Sequence, residues 1–201
     1  RADPRGGAGE FWAEVVEHRR KSQRPIAEIH KKLAKKFPLR IRRLIAKIRW
    51  RGANAEPTLL ELARPALAEN AASLFAAADE ELNDPNKLHE LRIEGKRLRY
   101  SLELFAGAFP NRLRDEVYPQ VEQLQQMLGA ANDHAVAIAR LENWLDRTNA
   151  EAPRATLASM IADERRFLAD SQADFHTWWN ADRRGELQNE FDRLLDPRHE
   201  A

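Results

Sequence analysis

Apolar residues recur at spacings of three and four along most of the chain, the period that is typical of amphipathic α-helices. An early example is the stripe formed by Ile26, Ile29, Leu33 and Phe37. The β-branched residues Val, Ile and Thr together number only 17 of 201 residues, too few for a protein rich in sheet. The sequence therefore predicts an all-α protein built from helical bundles.

Proline, glycine and Asn/Asp clusters mark the expected helix boundaries. The clearest start is Asn83-Asp84-Pro85, where a capping side chain precedes a proline in the first turn. Pro25 is expected to separate two helices, and Gly129 to end or bend another. The predicted helices cover residues 10 to the mid-twenties, 25–37, 38–51, 57–82, 85–109, 112–128 with a bend at Pro119, 131–148, 153–180 and 184–195.

The formal net charge of +1 conceals an uneven distribution. Between His18 and Arg51 there are fourteen Lys or Arg residues and one acid, Glu28, whereas residues 52–201 carry a net charge of −10. An excess of thirteen positive charges in a short segment repels itself unless a counter-charge is present. The segment thus predicts a polyanion-binding site, and the alternative is a solvated basic face.

The basic segment also has a directional pattern. After Pro38, the residues on one helical face are Ile41, Leu44, Ile45 and Ile48. A second stripe, about 100° away, consists of Arg40, Arg43, Lys47 and Arg51. A basic amphipathic helix can also lie on a membrane, but this apolar face is narrow, and the chain has no apolar run near the ~18 residues that a membrane span needs. We therefore expect no membrane association and, since cysteine is absent, a cytoplasmic location.

The segment from Leu88 to Phe105 has the most specific pattern. His89, Arg92, Lys96 and Arg99 fall on one side of the predicted helix, with Tyr100 beside them. The opposite side carries Leu91, Leu98, Leu102 and Phe105. Cations that repeat with each turn suit a chain of repeating anions, because arginine offers forked donors to phosphoryl oxygens and lysine a compact charge.

Two questions about this segment stay open on spacing alone. Glu90, Glu94 and Glu103 provide acids that can neutralise the cations, so an ordinary exposed helix is an equal alternative. Gly95, at the flank of the basic side, would let another backbone or a ligand approach closely.

Other chemistry has little support in the sequence. There is no Gly-rich phosphate loop, no HExxH zinc motif and no nucleophile elbow. We therefore expect no catalytic residues, no metal and no cofactor.

Two sequence blocks resemble a known family. The run His89-x-x-Arg92-x-x-x-Lys96-Arg97-x-Arg99-Tyr100 resembles the signature of the CHAD domain, the conserved-histidine α-helical domain. The block from Leu124 to Asp133, LQQMLGAAND, is similar to the second block of that family. The resemblance implies two helical-bundle repeats around a central basic channel. It further implies non-enzymatic binding of inorganic polyphosphate, which directs proteins to polyphosphate granules.

By motif position, the resemblance implies that His89, Arg92, Lys96 and Arg99 face the channel, with Arg97 at its margin. Gln125 and Asp133 belong to the second block, and Asp133 is interpreted as orienting basic side chains, or alternatively as an ordinary N-cap. Further cations assigned to the polyphosphate site are Arg19, Arg20, Arg40, Arg43, Lys47 and Arg165.

The chain contains one such histidine motif, whereas a full CHAD domain has two. We expect residues 1–9 to be a flexible lead, 10–51 the closing helices of the first repeat, and 52–201 a connecting helix and the second repeat. The resemblance then covers roughly residues 10–195. An incomplete first bundle should expose apolar surface, which a second copy of the chain or a missing first-repeat segment would cover. The rival function is binding of RNA or DNA, which usually places aromatic residues among the cations.

Overall fold

The computed structural model describes residues 9–34, 36–49, 52, 55–109 and 111–196. In these ranges the chain forms seven α-helices and one π-helical turn, with no β-strand, so the all-α prediction is confirmed. The π-helical turn, Leu113–Val117, precedes α5. The α-helices are α1 (Gly9–Ala34), α2 (Phe37–Ile45), α3 (Leu59–Ala78), α4 (Pro85–Phe105), α5 (Tyr118–Arg147), α6 (Glu151–Trp178) and α7 (Ala181–Leu195). Within the described ranges, no helix has the length and apolar character that a membrane crossing requires.

Side-chain caps determine where two of the central helices begin. Thr58 Oγ1 accepts a hydrogen bond from the Glu61 amide at 3.2 Å, and Glu61 Oε2 accepts one from the Thr58 amide at 2.6 Å, which is a capping box at the start of α3. Asp84 Oδ1 accepts from the Asn86 amide at 2.8 Å, and Pro85 is the first residue of α4. The predicted start of α4 is therefore confirmed.

Several predicted boundaries are wrong. Pro25 lies inside α1, whose side chains are nearly all exposed, so water can satisfy the carbonyl that loses its helical partner. Gly129 lies inside α5, which continues to Arg147. Pro119 follows the π-helical turn and occupies the first turn of α5, where its missing N–H costs little.

The basic helix α2 is shorter than predicted. It ends at Ile45, so Lys47 lies in the turn beyond it and the expected stripe of cations is not continued on the helix. Arg51, the last member of that stripe, and residues 1–8 of the expected flexible lead are outside the described residues.

The chain divides into two compact units. The first unit comprises Arg1–Glu56 and Leu141–Ile161. Within it, the Phe11 ring lies 6.0 Å from the Trp144 ring, and Arg147 Nη2 lies 3.3 Å from Glu14 Oε1. The division near residue 56 is close to the predicted boundary at residue 52, although the first unit also includes the end of α5 and the start of α6. The assignment of these parts to two repeats stays a prediction.

The second unit, Pro57–Arg140 with Ala162–Ala201, contains the buried hydrophobic cluster. Helix α4 contributes Leu91, Leu98 and Leu102, all with no exposed surface, and Phe105 packs against the cluster while partly buried. These are the residues that the spacing placed opposite the cations. Their burial turns the other side of α4 away from the core.

Truncation of the buried α4 face should destabilise the protein. We expect Leu98→Ala to lower the free energy of unfolding by about 2–5 kcal/mol, because the side chain is fully buried and leaves a cavity. Leu104→Ala is the matched control on the same helix, since its side chain is 72% exposed, and it should change stability by about 0.5 kcal/mol or less. Urea denaturation followed by circular dichroism measures both, and equal effects would contradict the assigned core.

Candidate functional site

Three cations of α4 are neutralised by acids on the same helix. Lys87 Nζ lies 3.2 Å from Glu90 Oε2, and Arg97 Nη1 lies 2.8 Å from Glu94 Oε2. The third pair is Arg99 Nη1 and Glu103 Oε1 at 2.6 Å. The alternative of an exposed helix with paired charges therefore holds for these three residues.

The remaining basic side chains of α4 are His89, Arg92 and Lys96, and we call them the α4 ridge. None of them forms an ion pair with an acid in the part of the chain that the structure describes. Their spacing of three and then four residues places them on one face of the helix. His89 and Lys96 are exposed and Arg92 is half-buried. The ridge therefore offers cationic hydrogen-bond donors that an external anion can reach.

Tyr100 stands at the carboxyl end of the α4 ridge, with its side chain half exposed. Lys96 Nζ is 5.7 Å from the centre of its ring, and the Arg99 guanidinium carbon is 4.8 Å from it. Both distances are within the range of cation–π attraction. Tyr100 therefore helps to position two basic side chains next to each other.

Arg99 belongs to a polar network that also includes Glu103 and Tyr118. The Tyr118 hydroxyl donates to Glu103 Oε1 at 2.9 Å, on the same carboxylate that pairs with Arg99. Partial burial acts to lower the pKa of the Arg99 guanidinium, but the Tyr118 oxygen and the Glu103 carboxylate outweigh it and raise that pKa above its ordinary value. Arg99 is thus fully charged but already engaged within the protein.

Gly95 marks the closest approach of α5 to α4. A Cβ atom at this buried position would lie 2.7 Å from Gln125 Nε2 and 3.5 Å from Leu124 Cδ2. Gln125 Nε2 instead donates a hydrogen bond to the backbone carbonyl of Arg92 at 3.0 Å. The gap expected for a backbone or a ligand is therefore filled by the Gln125 side chain, which joins the second sequence block to the α4 ridge.

The structure places Asp133 in the middle of α5, where the side chain is exposed. The N-cap alternative for Asp133 is therefore wrong. Within the described ranges, Asp133 forms no ion pair with a basic side chain, so the structure gives no contact through which it would orient one.

The next residue, His134, was not singled out by the sequence. Its Nδ1 atom lies 2.6 Å from Glu164 Oε2 on α6, and its ring lies 5.6 Å from the Phe167 ring. The pair links two helices of the second unit across thirty residues of sequence. No local pattern identifies such a partner.

The other predicted cations fall outside α4. Arg19, Arg40, Arg43 and Lys47 belong to the first unit, are exposed, and form no ion pair with an acid among the residues described. Arg165 is exposed on α6. The structure thus brings together His89, Arg92, Lys96 and Tyr100 on one helix, and the central basic channel stays a prediction.

Arg20 differs from its neighbours because it is bound to Glu17 through two contacts of 2.7 Å. The hydrogen bond from Arg20 lowers the pKa of the Glu17 carboxyl to about 2. In the described residues, no group of three His, Asp or Glu side chains is placed to hold a metal ion.

The family model described as the CHAD domain matches residues 2–142, which is more than half of the chain. The match includes the α4 motif and the block containing Gln125. The chain therefore belongs to the CHAD domain family, as the two motifs indicated. The match ends at residue 142, so its extent differs from the predicted 10–195 and excludes α6 and α7. A comparison with curated proteins finds no match.

The contact at Gly95 gives a second stability prediction. Gly95→Leu should lower the free energy of unfolding by about 1–3 kcal/mol, because the added side chain overpacks the contact with Gln125 and Leu124. Gly129→Leu is the control, since a Cβ there meets nothing within 4 Å and leucine favours the helix. Denaturant unfolding of both variants is the measurement, and a Gly95→Leu protein as stable as Gly129→Leu would refute the close approach.

Proposed function

We propose that this protein binds inorganic polyphosphate through the α4 ridge and that it does so without catalysing a reaction. The observation that carries the proposal is that His89, Arg92 and Lys96 are left unneutralised on a helix whose other three cations are paired with acids. Membership of the CHAD domain family is consistent with a polyphosphate-related function.

The spacing of the α4 ridge suits a repeating anion. The three residues span two helical turns, or about 10 Å along the axis. Each turn presents a donor to the same side, so consecutive phosphates of one chain can be bound by consecutive side chains. Each phosphate that is neutralised displaces counterions, and affinity should therefore grow with chain length.

Further cations can contribute to polyphosphate binding. Arg40, Arg43 and Lys47 form an unpaired set in the first unit, in a stretch that contains no acid between Ile29 and Arg49. Arg97, Arg99 and Arg20 contribute less in this proposal, because each is already held by a carboxylate. On this proposal, the protein or a protein fused to it is held at polyphosphate granules in the cytoplasm.

Nucleic acid is the alternative ligand. Single-stranded RNA and DNA are commonly bound by stacking bases on exposed aromatic rings. The only aromatic ring among the α4 cations is Tyr100, and it is already in contact with Lys96 and Arg99. This arrangement favours an inorganic anion over a nucleobase.

Removing one ridge cation should weaken polyphosphate binding. We expect Arg92→Ala and Lys96→Ala each to cost ~1–3 kcal/mol of binding free energy, the range for hydrogen bonds to charged groups. Isothermal titration calorimetry with long-chain polyphosphate at fixed salt measures the loss. The matched control is Arg166→Ala, which removes the same charge from α6, where Arg166 is paired with Asp163 at 3.2 Å. If the ridge variants lose no more affinity than Arg166→Ala, the α4 ridge is not the site.

Salt and competition distinguish polyphosphate from nucleic acid. The logarithm of the association constant should fall linearly with the logarithm of the salt concentration, and the Arg92→Ala/Lys96→Ala double variant should reduce the slope by about 2. At equal total phosphate, long-chain polyphosphate should displace a fluorescent single-stranded RNA from the protein, and RNA should not displace polyphosphate. The reverse order of displacement would favour the nucleic-acid function.

A further inference from the structure

The first unit contains an apolar groove between α1 and α2. It has a volume of about 410 Å³, and its lining includes Ile26, Ile29 and Leu33 from α1 with Phe37 from α2. These four side chains are between 41% and 67% exposed. Neither α1 nor α2 buries a single residue. Accessible apolar surface of this kind commonly marks a site of interaction.

The apolar surface continues along α2 and beyond its end. The side chains of Leu44, Ile45 and Ile48 are each about 60–70% exposed. In a chain whose other unit buries its leucines completely, this surface requires an occupant that is itself apolar on one side.

The charge around the groove restricts that occupant further. Between Ile29 and Arg49 the sequence contains nine Lys or Arg residues and no acid. Arg40 and Arg43 are exposed on α2 with no ion pair to a described acid. An occupant that carried positive or neutral flanks would leave these charges uncompensated, so charge complementarity selects one with acidic flanks.

The shape of the site favours a helix over a lipid bilayer. An amphipathic helix that lies on a membrane inserts one convex apolar face into the lipid. Here two helices line a concave trough, and a trough receives the protruding row of side chains at i, i+3 and i+7 of another helix.

We propose that the groove between α1 and α2 binds an amphipathic helix of a partner protein, with apolar residues in the trough and Asp or Glu residues on its flanks. The proposal does not depend on polyphosphate binding by the α4 ridge, because Ile29, Leu33 and Phe37 are not part of that ridge.

The test uses two synthetic helical peptides of about five turns, each fluorescently labelled and each with leucines at i, i+3 and i+7. One peptide carries glutamates on its flanks and the other carries lysines. We expect the glutamate peptide to bind the full chain and the lysine peptide to bind at least about tenfold more weakly, as measured by fluorescence anisotropy.

Matched variants locate the binding site. Leu33→Ser should weaken binding of the glutamate peptide by about tenfold or more, whereas Leu104→Ser, at a 72% exposed leucine of α4, should leave it unchanged. Arg40→Glu/Arg43→Glu should reverse the preference in favour of the lysine peptide. Circular dichroism confirms that the variants are folded, which is expected because all three sites are exposed.

Several results would overturn the proposal. These are the absence of binding by the glutamate peptide and equal binding by Leu33→Ser. Binding of anionic phospholipid vesicles that Leu33→Ser abolishes would assign the groove to a membrane, and a concentration-dependent dimer that Leu33→Ser dissociates would assign it to a second copy. Polyphosphate affinity unchanged by Leu33→Ser, together with peptide affinity unchanged by Arg92→Ala, would show that the two proposals succeed or fail separately.

Discussion

The burial of one face of α4 is the constraint on which the rest of the site depends. Leu91, Leu98 and Leu102 have no exposed surface, so the helix cannot rotate about its axis without exposing them. This fixed rotation directs His89 and Lys96 to solvent. Because nearby acids neutralise the other cations of the helix, a hydrophobic contact and three local ion pairs together determine which charges remain open to a ligand.

The two sequence blocks of the CHAD domain meet in one physical contact. Gly95 removes a side chain from α4, and Gln125 from α5 occupies the space and binds the carbonyl of Arg92. The amide of Gln125 thus holds the backbone of a residue whose side chain lies on the ridge. This contact gives the paired motifs a structural reason, since a larger residue at position 95 would displace the donor that supports Arg92.

Local signals predicted much of α4 and little of its surroundings. The Asp84 cap and the leucine spacing identified its start and its buried face, because both depend on residues close in sequence. Gly129 failed to break α5 because the cost of glycine in a helix, about 1 kcal/mol, is small against the bonds of a thirty-residue helix. The bond from Gln125 to Arg92 joins residues 33 apart, and only packing of the helices determines such a pair.

A structure of the protein with a short polyphosphate bound tests the central claim most directly. The account predicts that phosphate oxygens lie about 3 Å from the Arg92 guanidinium and from Lys96 Nζ, while the pair of Arg97 and Glu94 stays intact. Phosphates bound away from α4, with Arg92 and Lys96 contacting only water, would contradict it.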